Sequence, residues 1–88
     1  VSDKEKWEAR YTSAETFPRD PSEFLRENRD ALPHSGLALD LAAGAGRNSV
    51  FLAEQGLEVI ALDISERALQ QCLRLARERN ARVAAAAV

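Results

Sequence analysis

The chain has 88 residues, 45% of them hydrophobic and 30% charged, and its 12 basic and 14 acidic side chains leave a net charge of −2. That is the composition of one small globular domain, or a piece of one, with a marginal core. No basic excess supports nucleic-acid or polybasic membrane binding, and a single cysteine, Cys72, excludes an internal disulfide or a cysteine metal cluster.

The longest apolar stretch, VAAAAV at 83–88, is too short to span a bilayer. The charged N-terminus has no signal-peptide core, so the cytoplasm is the expected location. Arginine outnumbers lysine and alanine is abundant, which suggests a GC-rich bacterial genome. The first residue is Val1, which suggests a processed product, an alternative start or a trimmed chain.

Residues 3–12 place Trp7 and Tyr11 on one face of a short helix. In the next segment Asp20 reads as an N-cap, Pro21 as the first helical residue and Glu23 as the capping-box partner. Phe24, Leu25, Asn28, Ala31 and Leu32 then form one stripe, and Pro33 ends the helix. LALDLA (37–42) reads as a buried strand entering a glycine loop. RNSVFLAEQ (47–55) reads as a helix closed by Gly56. LEVIALD (57–63) is a second strand. Ser65 caps a helix to about Arg79, with Ala68, Leu69, Cys72, Leu73 and Ala76 along its apolar stripe; Asn80 stops it. RVAAAAV (82–88) reads as a third strand or, since alanine favours helix, as a helical extension. Alternation of strand and helix predicts a parallel α/β fold with right-handed crossovers.

The loop DLAAGAGRN (40–48) carries Gly44 and Gly46 between the first strand and its helix. Glycine there permits positive φ and close approach of a ligand, and a parallel sheet binds ligands at the carboxyl ends of its strands. Asp63 ends the second strand, seventeen residues after Gly46, where an acid can accept both hydroxyls of a ribose. The alternatives are a tight strand-to-helix turn with no ligand and an Asp63 that serves only as a turn residue before Ser65. A Walker loop needs lysine after the second glycine, and a dinucleotide loop needs a third glycine where GAGRNS has Ser49. A loop begun by Asp40 suits a ligand with an ammonium nearby and no phosphate, such as S-adenosylmethionine.

ALDLAAGAGRNSVFLAEQGLEVIALDISERAL (38–69) resembles the first and second motifs of class I S-adenosylmethionine-dependent methyltransferases. GRN, VFLAEQG and DIS bring it nearest to the small bacterial branch of tellurite-resistance and thiopurine-type enzymes, and KWEARY (6–11) is similar to that branch's cofactor-capping helix. The resemblance implies a Rossmann-like parallel sheet with helices on both faces, here the first two or three strands of a seven-stranded fold. It divides the chain into an N-terminal helical cap segment (1–36) and a partial cofactor-binding α/β domain (37–88).

The resemblance also implies roles. Asp40 would contact the methionine amino group, directly or by water; Gly44 and Gly46 would pass under methionine and ribose. Asp63 would take the ribose hydroxyls and Ile64 would pack on adenine. Arg47 and Asn48 would begin the helix beside the cofactor. Trp7, Arg10 and Tyr11 would close over it, with Arg10 a candidate for the methionine carboxylate; the alternatives are Trp7 and Tyr11 as packing anchors of a loose helix and Arg10 as a solvated surface charge. Ala42 stands where the family usually has glycine. The implied acceptor is a small molecule, and most of its pocket would lie beyond Val88, so the expectation is an N-terminal half whose methyl transfer needs a further half. The alternatives are an inactive remnant or interaction module that self-associates through an exposed sheet edge, and a nicotinamide-binding fragment, which Ser49 disfavours. Cys72 reads as core and His34 as an exposed turn residue; the sequence offers no metal-ligand spacing.

Overall fold

The computed structural model describes residues 2–12 and 17–88; Val1 and residues 13–16 of the expected cap segment lie outside the described residues. The order is α1 (Asp3–Thr12), α2 (Glu23–Glu27), a 3-10 turn (Arg29–Ala31), β1 (Leu37–Leu41), α3 (Arg47–Glu54), β2 (Glu58–Asp63), α4 (Glu66–Glu78) and β3 (Val83–Ala87).

The three strands form one parallel sheet in the order β1-β2-β3. Each crossover steps the same way across the sheet, so right-handed connections put α3 and α4 on the same face. Val50 of α3 and Leu75 and Ala76 of α4 form one buried cluster, with Ala81 and Val83 against it. Ala61 of β2 joins Leu69 and Cys72 of α4 in a second, flanked by Ala43, Val83 and Ala85. The opposite face carries Leu37, Leu39 and Leu41, at 62%, 58% and 71% exposure. Three parallel strands with crossover helices are the α/β arrangement expected from the sequence, and both described crossovers lie on one face.

The alanine-rich tail is a strand. Val83 to Ala87 pair in register with Val59 to Asp63, and the ladder outweighs alanine's helix preference. Both crossover helices end alike. Gly56 (φ 105°) follows α3, with Gly56 N–H donating to Ala53 O and Leu57 N–H to Leu52 O. Asn80 (φ 58°) plays the same part after α4, with Ala81 N–H on Ala76 O at 2.8 Å. On α4 the buried stripe runs through Leu75, while Leu73 is only half-buried.

The segment before β1 departs from its expected form. Ser22, not Asp20, is the N-cap, its Oγ accepting from the Leu25 amide, and Glu23 is the first helical residue. The Ser22 N–H is itself held by Asn48 Oδ1 at 2.8 Å, which fixes the chain entry two residues later than local sequence suggests. The helix lasts five residues. Asn28 Nδ2 turns back onto Phe24 O at 2.8 Å, and Phe24 is 75% exposed, so the expected stripe has no core to bury into. A helix this short has little intrinsic stability without such packing.

Candidate functional site

The carboxyl ends of β1 and β2 and the loop 42–46 form the floor of the site. After Leu41 the chain turns through Ala42 at φ 56°, Gly44 at φ 60° and Gly46 at φ 91°. Ala43 N–H donates to Leu62 O at 3.0 Å, so the loop stays tied to β2 as it leaves the sheet.

The two loop glycines serve different neighbours. A Cβ on Gly46 would lie 2.4 Å from Cys72 Sγ and 2.8 Å from Cys72 Cα; this glycine lets the start of α3 touch α4. A Cβ on Gly44 would lie 2.7 Å from the Tyr11 hydroxyl; this one makes room at the open side of the loop.

Asp63 braces that loop. One carboxylate oxygen accepts from Gly44 N–H at 2.8 Å and the other from Ser65 N–H at 2.8 Å. An ionised carboxylate has about four acceptor positions, so two bonds leave capacity for hydroxyl donors. Asp40, one strand over, accepts from Ser49 Oγ at 2.6 Å through Oδ2. Its Oδ1 has no hydrogen bond among the described residues, where no side-chain oxygen is both buried and unpaired, and Asp40 lines one of the clefts beside the loop.

Two clefts flank the loop. One, of about 370 Å³, is lined by Trp7, Tyr11, Leu41, Ala42, Leu62, Asp63, Ile64 and Val88. The other, of about 300 Å³, takes in Asp40, Gly44, Arg47 and Asn48, with Phe17 and Pro18 as its outer wall. Tyr11, Leu41 and Ala42 line both. Among the expected site residues, Gly46 and Arg10 line neither. Gly46 is buried under α4, and Arg10 lies over the Trp7 and Phe17 rings, 5.4 and 5.6 Å from their centroids.

α1 is held over the site from α4. Glu8 Oε1 accepts from the Arg67 amide at 3.2 Å, and Gln71 Nε2 donates to Tyr11 O at 2.8 Å. A carboxylate in the first turn of α4 suits the helix dipole. The Ser65 hydroxyl, helped by the Arg67 amide and guanidinium, holds the Glu8 carboxyl below its usual range. Tyr11 stacks on Phe17 at 4.5 Å. Burial, and then the Asp63 charge, push its phenol up.

Sequence reasoning missed Ser49 and Phe17. Ser49 counted only as the residue that breaks a dinucleotide motif, yet it is fully buried and bonded to Asp40. The available signal was a hydroxyl in the first turn of α3, where it faces the end of β1. Asn48 was placed beside the ligand; it lines the cleft and also holds the cap segment through Ser22.

The sequence profile of the methyltransferase domain matches residues 38–87. The putative methyltransferase YqeM of Bacillus subtilis is 51% identical over 39 residues, which are 44% of this chain and 16% of that protein. Two solved structures share the fold. One, reported for the conversion of a disulfide bond into a thioacetal group during echinomycin biosynthesis, superposes with a TM-score of 0.82 at 22% identity, covering 97% of this chain and 38% of that one. The other is the Pyrococcus abyssi tRNA (uracil-54, C5)-methyltransferase in complex with S-adenosyl-L-homocysteine, with a TM-score of 0.64 at 22% identity over 74% of this chain and 16% of that one. The chain thus spans well under half the length of each of these proteins. The profile takes in both strands and the loop that build the site, and more than half of the sequence: the chain belongs to the methyltransferase domain family.

Proposed function

We propose that this chain binds S-adenosylmethionine along the groove formed by the two clefts, and that it is the cofactor-holding segment of a small-molecule methyltransferase. One observation carries the reading. Neighbouring parallel strands end in two carboxylates, Asp40 and Asp63, each opening into a different cleft beside the same glycine loop. A ligand that carries a ribose diol and, further along, an ammonium suits two carboxylates on neighbouring strands that line adjoining clefts. The loop offers no lysine for phosphate, and Gly44 lets the Tyr11 hydroxyl come down on the loop backbone.

In this reading Asp63 accepts the ribose hydroxyls, Ile64 and Trp7 flank the adenine, and Ala42 and Gly44 pass backbone beneath the ribose. Asp40 meets the amino group, with Arg47 and Asn48 bordering the methionine end. Tyr11 closes the groove, and Arg10, which lies over the Trp7 and Phe17 rings and lines neither cleft, would turn from them to meet the carboxylate. Gly46 acts indirectly by seating α3 against α4. Residues 1–36 are the cap and 37–88 the binding domain. The bound cofactor supplies an electrophilic methyl group on a sulfonium; the aromatic rings of Trp7 and Tyr11 favour such a cation. This chain's residues fix the donor's two ends, and transfer to an acceptor is then a matter of alignment. The GRN and DIS sequences support placement in the tellurite-resistance and thiopurine-type branch.

Isothermal titration of the chain with S-adenosylhomocysteine, with NADH as control, tests the proposal. Saturable binding of the first alone is the expected result. A folded chain, by circular dichroism, that binds neither would overturn it.

A further inference from the structure

We infer that Ser49 is a positioning residue for the amino end of the ligand: its hydroxyl fixes the Asp40 carboxylate so that Oδ1 faces the cleft. The inference rests on the reading that this groove holds a ligand of the S-adenosylmethionine type with its amino-acid end beside Asp40.

Ser49 is completely buried in the first turn of α3. A buried hydroxyl needs a partner, and the one it has is Asp40 Oδ2 at 2.6 Å, a short, charge-assisted bond. Asp40 is only half-buried. Without that bond its side chain is free to turn about χ1 and χ2, and the oxygen offered to the cleft would be one orientation among several. With Oδ2 occupied, Oδ1 is left as the acceptor for an incoming donor.

Ser49 is in turn held from behind. Gly46 lets α3 approach α4 closely enough to meet Cys72, which is fully buried. Burial pushes the Cys72 thiol up to about 11, with the Ser49 hydroxyl working the other way and the Asp40 charge adding to the rise. A neutral thiol is a weaker acceptor than an ionised carboxylate, so the Ser49 proton goes to Asp40. The close helix contact at Gly46, the packed Cys72 and the donating Ser49 thus form one continuous support for Asp40.

The test compares two ligands. S-adenosylhomocysteine carries the amino-acid end; 5′-methylthioadenosine keeps the adenosine and thioether and lacks it. Both are titrated into the unsubstituted chain, Ser49→Ala, Asp40→Asn and the double variant. Ser49→Ala is expected to weaken S-adenosylhomocysteine roughly tenfold, as for loss of a charged hydrogen bond, and to leave 5′-methylthioadenosine within about twofold. The double variant should be no weaker than Asp40→Asn alone, since Ser49 acts through Asp40. Unchanged S-adenosylhomocysteine affinity overturns the inference. So does equal loss of both ligands, which would make Ser49 a support for the whole loop, and so do additive losses in the double variant. An unsubstituted chain that binds neither ligand defeats the binding-site reading itself; binding by that chain with no selective loss defeats only the role of Ser49.

Discussion

Replacing Gly46 with alanine should be among the most damaging single-methyl changes in the chain. The added Cβ would sit 2.4 Å from Cys72 Sγ, 2.7 Å from its Cβ and 2.8 Å from its Cα. No rotamer of Cys72 relieves the last two, so α3 and α4 must separate. Overpacking of this kind costs about 1–3 kcal/mol. Left-handed φ, here 91°, adds about 1–2 kcal/mol for a residue with a Cβ. Restricting the unfolded chain returns about 0.4–1 kcal/mol. The net loss is about 2–4 kcal/mol. At roughly 0.1 kcal/mol of stability per residue, that is a large share of what a chain this small possesses.

The assay is urea unfolding followed by circular dichroism, with Gly36→Ala as the reference. Gly36 also has positive φ, 110°, but its Cβ would meet nothing within 4 Å, so it reports backbone strain alone. Gly46→Ala should lose about 1–3 kcal/mol more than Gly36→Ala. Adding Cys72→Gly, which removes both Sγ and Cβ, should recover part of that excess, and Cys72→Ala less. If Gly46→Ala and Gly36→Ala unfold at the same urea concentration, the close packing of α3 on α4 is not what Gly46 is for.

Asp63→Ala should weaken S-adenosylhomocysteine binding by roughly 1.5–3 kcal/mol; equal affinity by calorimetry in a chain that binds would remove Asp63 from the site. Ala42→Gly should raise stability by about 0.5–1 kcal/mol, because relief of φ 56° outweighs the added freedom of glycine when unfolded; a lower melting temperature would contradict it. The Cys72 thiol is pushed from 9.0 to about 11 in the fold, so its contribution is complete below pH 9 and fades as pH rises toward 11. That contribution is roughly 2–3 kcal/mol by linkage, and Cys72→Ala should flatten the alkaline limb of the pH–stability curve apart from what the raised Tyr11 phenol adds. The exposed Leu37, Leu39 and Leu41 predict concentration-dependent sedimentation, and a chain that stays monomeric at high concentration would count against it.

Local pattern was enough for the strand–loop–helix units. β1, β2, α3 and α4 lie within one or two residues of where apolar runs, Ser65, Gly56 and Asn80 place them, because each is bounded by a cap or turn residue acting over a few positions. What local pattern could not supply was every choice made by distant chain. Asp20 and Ser22 are both competent caps; Asn48 decides between them by binding the Ser22 amide. The alanine tail has a helical propensity that β2 overrides by pairing with it. Leu75 rather than Leu73 completes the core stripe because Val50 and Ala76 are there to receive it.

The glycine loop shows the same division within seven residues. Its shape as a turn out of a strand is written locally, and so is its acid at Asp40. The reasons for its two glycines are not: one accommodates a cysteine on α4, the other a tyrosine on α1. A motif of this kind therefore encodes two separable things, a cleft-lining backbone at Ala42–Gly44 and a helix-packing contact at Gly46. Substitutions at Gly44 should act on ligand affinity and on the seating of Tyr11, while those at Gly46 act first on stability. Ser49 joins the two halves. Its side chain is buried with the packing contact, and its one proton is spent on the carboxylate that faces the cleft.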